Sequence, residues 1–144
     1  MRMEAFPTGS EVNTRIIQQT VTFKTSRHVL YEMLMDQAQH AAFTGAEVSI
    51  DRQLGGAFTA YDGSLTGTYF EMIRDTKIMQ YLRVVSEDWP QDHYSVVTIF
   101  LEETEEGTQL RLHQAGVPEQ CYEDVSQGWQ DRYWSKMESF LESQ

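Results

Sequence analysis

Apolar residues three or four apart dominate the C-terminal stretch. Tyr122, Val125, Trp129, Tyr133, Met137, Phe140 and Leu141 keep this spacing between Pro118 and Ser143. They predict one helix with a single buried face, and Pro118 suits its first turn, where a missing N–H costs nothing. About 23 residues at 1.5 Å each give roughly 34 Å of helix, enough to cross a small domain. Upstream the period falls to two. Over 14–25, Ile17, Val21 and Phe23 share one parity in a β-branched segment, with Gln19 the exception, which predicts a strand. Ser26 can cap a helix carrying the apolar stripe Val29, Leu30, Met33 and Leu34. Asp36, with Gln39 three residues on, resembles a capping box for a second short helix to about Phe43, stopped by Gly45.

Beyond Gly45, Ala46, Val48 and Ile50 alternate with Glu47, Ser49 and Asp51, a half-buried strand that Gly55-Gly56 breaks. Asp62-Gly63 then predicts a two-residue type I′ hairpin, because both residues tolerate positive φ. That register pairs Phe58 with Gly67 and Ala60 with Leu65, and the bare glycine leaves room for the phenylalanine ring. Strands follow over 77–86 and 94–102, and a last hairpin turns at the acidic 103–107 loop and returns over 108–115. The order is strand, two short helices, six antiparallel strands and a long helix. It predicts an α+β fold in which helices cover one face of a curved sheet of about seven strands. A long helix on the concave side need not fill it, and a cavity can remain between them. Residues 1–13, polar with Pro7 and Gly9, are expected to form a flexible tail before a single domain over 14–144.

The net charge of −11 works against phosphate backbones and anionic lipid headgroups, so neither nucleic acid nor membrane is expected as a partner. No apolar run approaches a membrane span, and the N-terminus lacks the apolar core of a signal peptide. Cys121 is the only cysteine, so no intramolecular disulfide can form. These features together predict a cytoplasmic protein.

Catalytic motifs are absent from the pattern. His28, His40, His93 and His113 fall on different elements without metal-ligand spacing and read as surface or hydrogen-bonded side chains. Cys121 sits among Glu119, Glu123 and Asp124, which disfavour a thiolate. The acidic residues Glu102, Glu103, Glu105 and Glu106 lack the ligand rhythm of a calcium loop. No metal, no cofactor and no enzyme activity are expected. The aromatic residues Phe58, Tyr69, Trp89, Trp129 and Tyr133 are the candidate ligand-binding set, although each also fits ordinary core packing. Trp89-Pro90 lies in a loop, where a large aromatic often covers a cavity mouth or meets a partner. Gly128 inside the helix suggests a close backbone approach or a kink beside Trp129. Trp134, rotated about 100° from Tyr133, is expected at the margin.

The order and spacing of several short motifs are familiar together. They are Asp51-Arg52, Gly55-Gly56-x-Phe58, Asp62-Gly63, Gly67, Trp89-Pro90, Gly107-Thr108-x-Leu110, Gly116-Val117-Pro118 and Gly128-Trp129 with Tyr133-Trp134. From about Thr14 to Leu141 the chain resembles the C-terminal domain of activators of heat-shock protein 90 ATPase, within the START-like SRPBCC superfamily. The resemblance implies a helix-grip fold, a curved antiparallel sheet around a long C-terminal helix with a pocket between. Two-domain members are co-chaperones that stimulate the chaperone's ATP hydrolysis, and their N-terminal domain is expected to be absent here. Two partners are therefore expected, a small apolar ligand held between helix and sheet, or a chaperone ATPase. The pattern sets no oligomeric state.

Overall fold

The computed structural model describes residues 12–144. Strand β1 (Thr14–Phe23) leads into helices α1 (Arg27–Met35) and α2 (Gln37–Thr44). Strands β2 (Ser49–Ile50), β3 (Ala57–Ala60), β4 (Leu65–Ile73), β5 (Lys77–Val84), β6 (Ser95–Thr104) and β7 (Gly107–Pro118) follow. A continuous helix over 119–142 closes the chain. It comprises a 3-10 turn (Glu119–Cys121), α3 (Tyr122–Trp129), a π turn (Gln130–Trp134) and α4 (Ser135–Glu142). The strands form one sheet in the order β1-β7-β6-β5-β4-β3-β2, with every neighbouring pair antiparallel. This is the α+β arrangement that the alternation predicts and the helix-grip fold that the resemblance implies.

Local chemistry sets the element boundaries. The Ser26 hydroxyl accepts the Val29 N–H at 3.2 Å and caps α1. The Asp36 carboxylate accepts the Gln39 N–H at 3.0 Å and restarts the chain as α2, while Gly45 at φ +73° ends it. At the β3–β4 turn, Asp62 (φ +58°) and Gly63 (φ +89°) adopt the left-handed conformation, and the Ser64 N–H closes onto the Tyr61 carbonyl at 3.0 Å. Phe58 pairs with Gly67 and Ala60 with Leu65, the register that the Asp-Gly turn dictates. Gly67 is required by the sheet itself, since a Cβ there would lie 1.8 Å from the Tyr81 carbonyl oxygen of β5.

Several boundaries depart from the sequence pattern. The strand expected from Ala46 shrinks to Ser49–Ile50, yet Val48 remains buried ahead of it. Val29, placed on the apolar stripe of α1, is exposed, and Tyr31 and Met35 are buried instead. Pro118 does not open the helix: it ends β7 opposite Thr14, and helical structure starts at Glu119. Residues 1–11 of the expected tail lie outside the described residues, but Asn13 is held, its carbonyl accepting the Glu119 N–H at 2.9 Å.

The sheet must bend around the helix. Within one turn of the π segment, the Trp134 indole reaches Gln19 on β1 and the Arg132 carbonyl accepts the Tyr61 hydroxyl from the β3–β4 turn. In a flat sheet β1 and β4 would stand about 19 Å apart, at roughly 4.8 Å per strand. Register shifts between Arg15 and Ile17 and between Tyr69 and Glu71 supply bends of the kind that bulges introduce.

Two glycine substitutions should act with opposite signs. Gly67→Ala drives a methyl into backbone and should cost about 2–3 kcal/mol in urea unfolding. Gly128→Ala, whose Cβ meets nothing within 4 Å, should add up to about 1 kcal/mol through helix propensity.

Candidate functional site

Three aromatic residues on one stretch of the C-terminal helix build the site, and each ties its polar tip to a partner on another element. The Trp129 indole N–H donates to Gln114 Oε1 at 2.7 Å. Gln114 Nε2 donates to the Ser95 hydroxyl at 2.9 Å, and that hydroxyl donates to the Leu82 carbonyl at 2.8 Å. Trp134 donates to Gln19 Oε1 at 2.6 Å, and Gln19 Nε2 returns to the Ser126 carbonyl at 2.9 Å. Tyr133 lies 2.9 Å from His40 Nε2, and His40 Nδ1 lies 2.9 Å from the Leu34 carbonyl. A carbonyl only accepts, which assigns the proton to Nδ1 and makes Nε2 the acceptor of the Tyr133 hydroxyl. Burial lowers the His40 pKa to about 4, outweighing the Leu34 hydrogen bond that raises it. Burial likewise raises the Tyr69 and Tyr133 phenols. The interior is therefore uncharged at neutral pH.

The π turn makes this convergence possible. Its i→i+5 bond from the Ser135 N–H to the Gln130 carbonyl brings residues five apart towards one face. Trp129 and Trp134 accordingly stack at 5.3 Å with 15° between planes. Trp134 is thus buried at 2% exposure rather than marginal, because the helix is not α-helical there. Nothing approaches the Gly128 position, so of the two expected roles close approach is excluded.

Phe58 and Tyr69 meet at 5.8 Å between ring centroids, since the β4 bulge comes after Tyr69 and leaves its parity intact. With Trp129, Tyr133 and His40 they surround an inner void of about 20 Å³ beneath the helix, also lined by Gln80 of β5. Four of the five candidate residues are therefore brought together. Trp89 is not. It is 1% exposed, donates its indole N–H to the His93 carbonyl at 2.7 Å and lines neither this void nor the adjoining groove. Its loop folds back onto the start of the helix, where Gln120 Nε2 donates to the Asp88 carbonyl at 2.9 Å. Trp89 plugs that corner, and a role as mouth cover or exposed contact is corrected accordingly.

The open space lies beside the void. A groove of about 500 Å³ runs between α3 with the π turn and the inner ends of β4 and β5. Leu65, Leu82 and Val84 form its sheet wall, and Val125, Gly128 and Trp129 its helix wall. Asp124, Asp131 and Arg132 are the charged groups on its lining. Tyr61, at φ +50°, crosses from the hairpin to the Arg132 carbonyl and bounds one end. Leu65, Leu82, Trp129 and Tyr133 line both groove and void. A separate cleft of about 550 Å³ between α2 and β2–β3 is lined by short and polar side chains, including Gln37, Glu47 and Asp62.

Sequence reasoning missed Tyr61, Gln19, Gln114 and the specific burial of His40. For the glutamines a signal was present: each occupies an inward position among apolar residues of its own strand. Among the described residues no three His, Cys, Asp or Glu side chains gather as metal ligands, and no helix is long and apolar enough to cross a membrane. The arrangement can enclose and orient an apolar molecule.

The bent antiparallel sheet gripping a C-terminal helix is the START-like helix-grip fold. The family model described as Activator of Hsp90 ATPase homolog 1-like protein matches residues 24–142, and the chain belongs to this family. It is 30% identical over 133 residues to "Activator of 90 kDa heat shock protein ATPase homolog 1" of Mus musculus, covering 92% of this chain and 39% of the relative. The Homo sapiens counterpart is 29% identical with the same coverage. The chain thus spans about two fifths of the length of these curated relatives. A crystal structure described as an HSP90 activator from Plasmodium falciparum shares the fold, with a TM-score of 0.77 and 23% identity over 89% of this chain and 95% of that one.

The neutral buried histidine sets a pH dependence. A folded pKa near 4 against the ordinary 6.5 means that the unfolded chain binds the proton first, so stability should fall as pH drops from about 6.5 towards 4. Comparing pH 7 with pH 4.5, wild type should lose about 2 kcal/mol more than His40→Leu, measured by urea unfolding of both proteins at both pH values.

Proposed function

We propose that the chain is a non-enzymatic, cytoplasmic regulatory module that binds a chaperone ATPase of the 90 kDa heat-shock class and alters its rate of ATP hydrolysis. The observation that carries this reading is membership of the activator family over 24–142, with curated relatives named for that activity. The interior chemistry supports a binding role over catalysis: His40 is neutral and both of its ring nitrogens are engaged. A contact surface is available on the outer face of the sheet, where the Phe70 and Tyr81 rings meet at 4.5 Å between centroids, tilted by 33°, and stand 36% and 43% exposed. A coupled ATPase assay with the 90 kDa chaperone from the same source tests the reading. A rate change that Phe70→Ser with Tyr81→Ser reduces is the expected result. No rate change together with no binding at tens of micromolar protein contradicts it.

A second reading is favoured by the groove. Its volume of about 500 Å³ lies within the range of small-molecule sites, and its walls are mainly apolar and aromatic. In this reading a small, predominantly apolar ligand sits between helix and sheet against Trp129, with Phe58, Tyr69 and Tyr133 forming the inner end. Native mass spectrometry and a thermal-shift screen of apolar compounds should find ligands that raise the melting temperature. Gly128→Leu, which puts bulk into the groove, should abolish the shift.

A further inference from the structure

The inner void differs from the groove in its polar chemistry. Tyr69 of β4 and Gln80 of β5 are direct cross-strand partners. Both line the void, at 1% and 8% exposure. Neither side chain finds a hydrogen-bond partner among the described residues, whereas the buried Gln114 and the half-buried Gln19 each make two or more. A buried amide and hydroxyl left unpaired are costly and uncommon in folded proteins. The void of about 20 Å³ admits one atom group the size of a water molecule and nothing larger. No cationic side chain lines it, so an anionic group placed there would lose its hydration without compensation. At the groove the charged lining is Asp124, Asp131 and Arg132, two acids against one base, which also disfavours anions.

We propose that Gln80 and Tyr69 form a polar subsite that receives the single hydroxyl or carbonyl oxygen of an uncharged, otherwise apolar ligand whose body occupies the groove beside Trp129. This rests on the groove being a ligand site. Groove and void meet across Leu65, Leu82, Trp129 and Tyr133, so one molecule can fill the first and extend an oxygen into the second. The Gln80 amide offers both a donor and an acceptor, and the Tyr69 hydroxyl does the same. The subsite is therefore suited to hydroxyl and carbonyl alike. It selects by the presence of the oxygen and by the absence of charge.

Three probes of matched body decide the matter by isothermal titration calorimetry: naphthalene, 2-naphthol and 2-naphthoate. 2-Naphthol should bind about fivefold to tenfold more tightly than naphthalene, the worth of one net hydrogen bond, and 2-naphthoate should bind least. Gln80→Met and Tyr69→Phe should each reduce the ratio of 2-naphthol to naphthalene affinity, both probes being titrated into the same variant. Naphthalene binding also reports that both variants are folded. Equal affinity for naphthalene and 2-naphthol, tightest binding of the carboxylate, or an advantage that survives both variants overturns the subsite while leaving the groove a ligand site. Failure of all three probes to bind wild type overturns the subsite and the groove reading together.

Discussion

The polar tips of three large aromatic residues hold the architecture together. Trp129, Tyr133 and Trp134 present broad apolar faces to the sheet and α2, and burying those faces drives the helix into the hollow. Each carries an N–H or O–H that would be stranded by that burial. Gln114, His40 and Gln19 accept one donor each, from β7, α2 and β1. Apolar packing alone would tolerate a helix that slides or rotates. The three hydrogen bonds fix its register, because leaving any buried donor unpaired costs on the order of 1–3 kcal/mol.

That constraint explains the irregular helix. In an uninterrupted α-helix Trp129 and Trp134 point in different directions, and a single helix cannot serve β7 and β1 from those positions. The π turn rotates Trp134 inward, lets the two indoles stack and lets both reach the sheet. The bend of the sheet is the matching half of the same fit. Gly128, one residue before Trp129, leaves the groove unobstructed on the helix side.

Periodicity and turn chemistry made most of the fold legible. The Asp62-Gly63 turn pinned the hairpin register, and Ser26, Asp36 and Gly45 marked the helix ends through hydrogen bonds with short, local partners. Long-range partners were harder to read. His40 gave no sign of its burial, because the phenol it accepts from lies 93 residues away. Gln19 did break the parity of its strand, and Gln80 and Gln114 share the inward parity of Ile78, Leu82, Leu110 and Leu112. A glutamine at an inward position was thus the readable trace of the polar network. Trp89 departs from the rule that a large loop aromatic covers a cavity mouth or meets a partner, because this loop packs against the helix start. The π turn leaves no trace in the apolar spacing, so α-helical geometry puts Trp134 at the margin of the face rather than in the core.

Family membership and interior geometry bear on different surfaces of one scaffold. In the two proposed readings a partner protein would meet the outer face of the sheet and a ligand would meet the groove behind it, so the clamped helix underlies both. Native-state hydrogen exchange of the two indole N–H protons tests that clamp most directly. The account predicts that the Trp129 and Trp134 protons exchange only through global unfolding, at the rate of the slowest β6 and β7 amides. Indole exchange orders of magnitude faster, with those strand amides still protected, would show the helix opening independently of the sheet and contradict it.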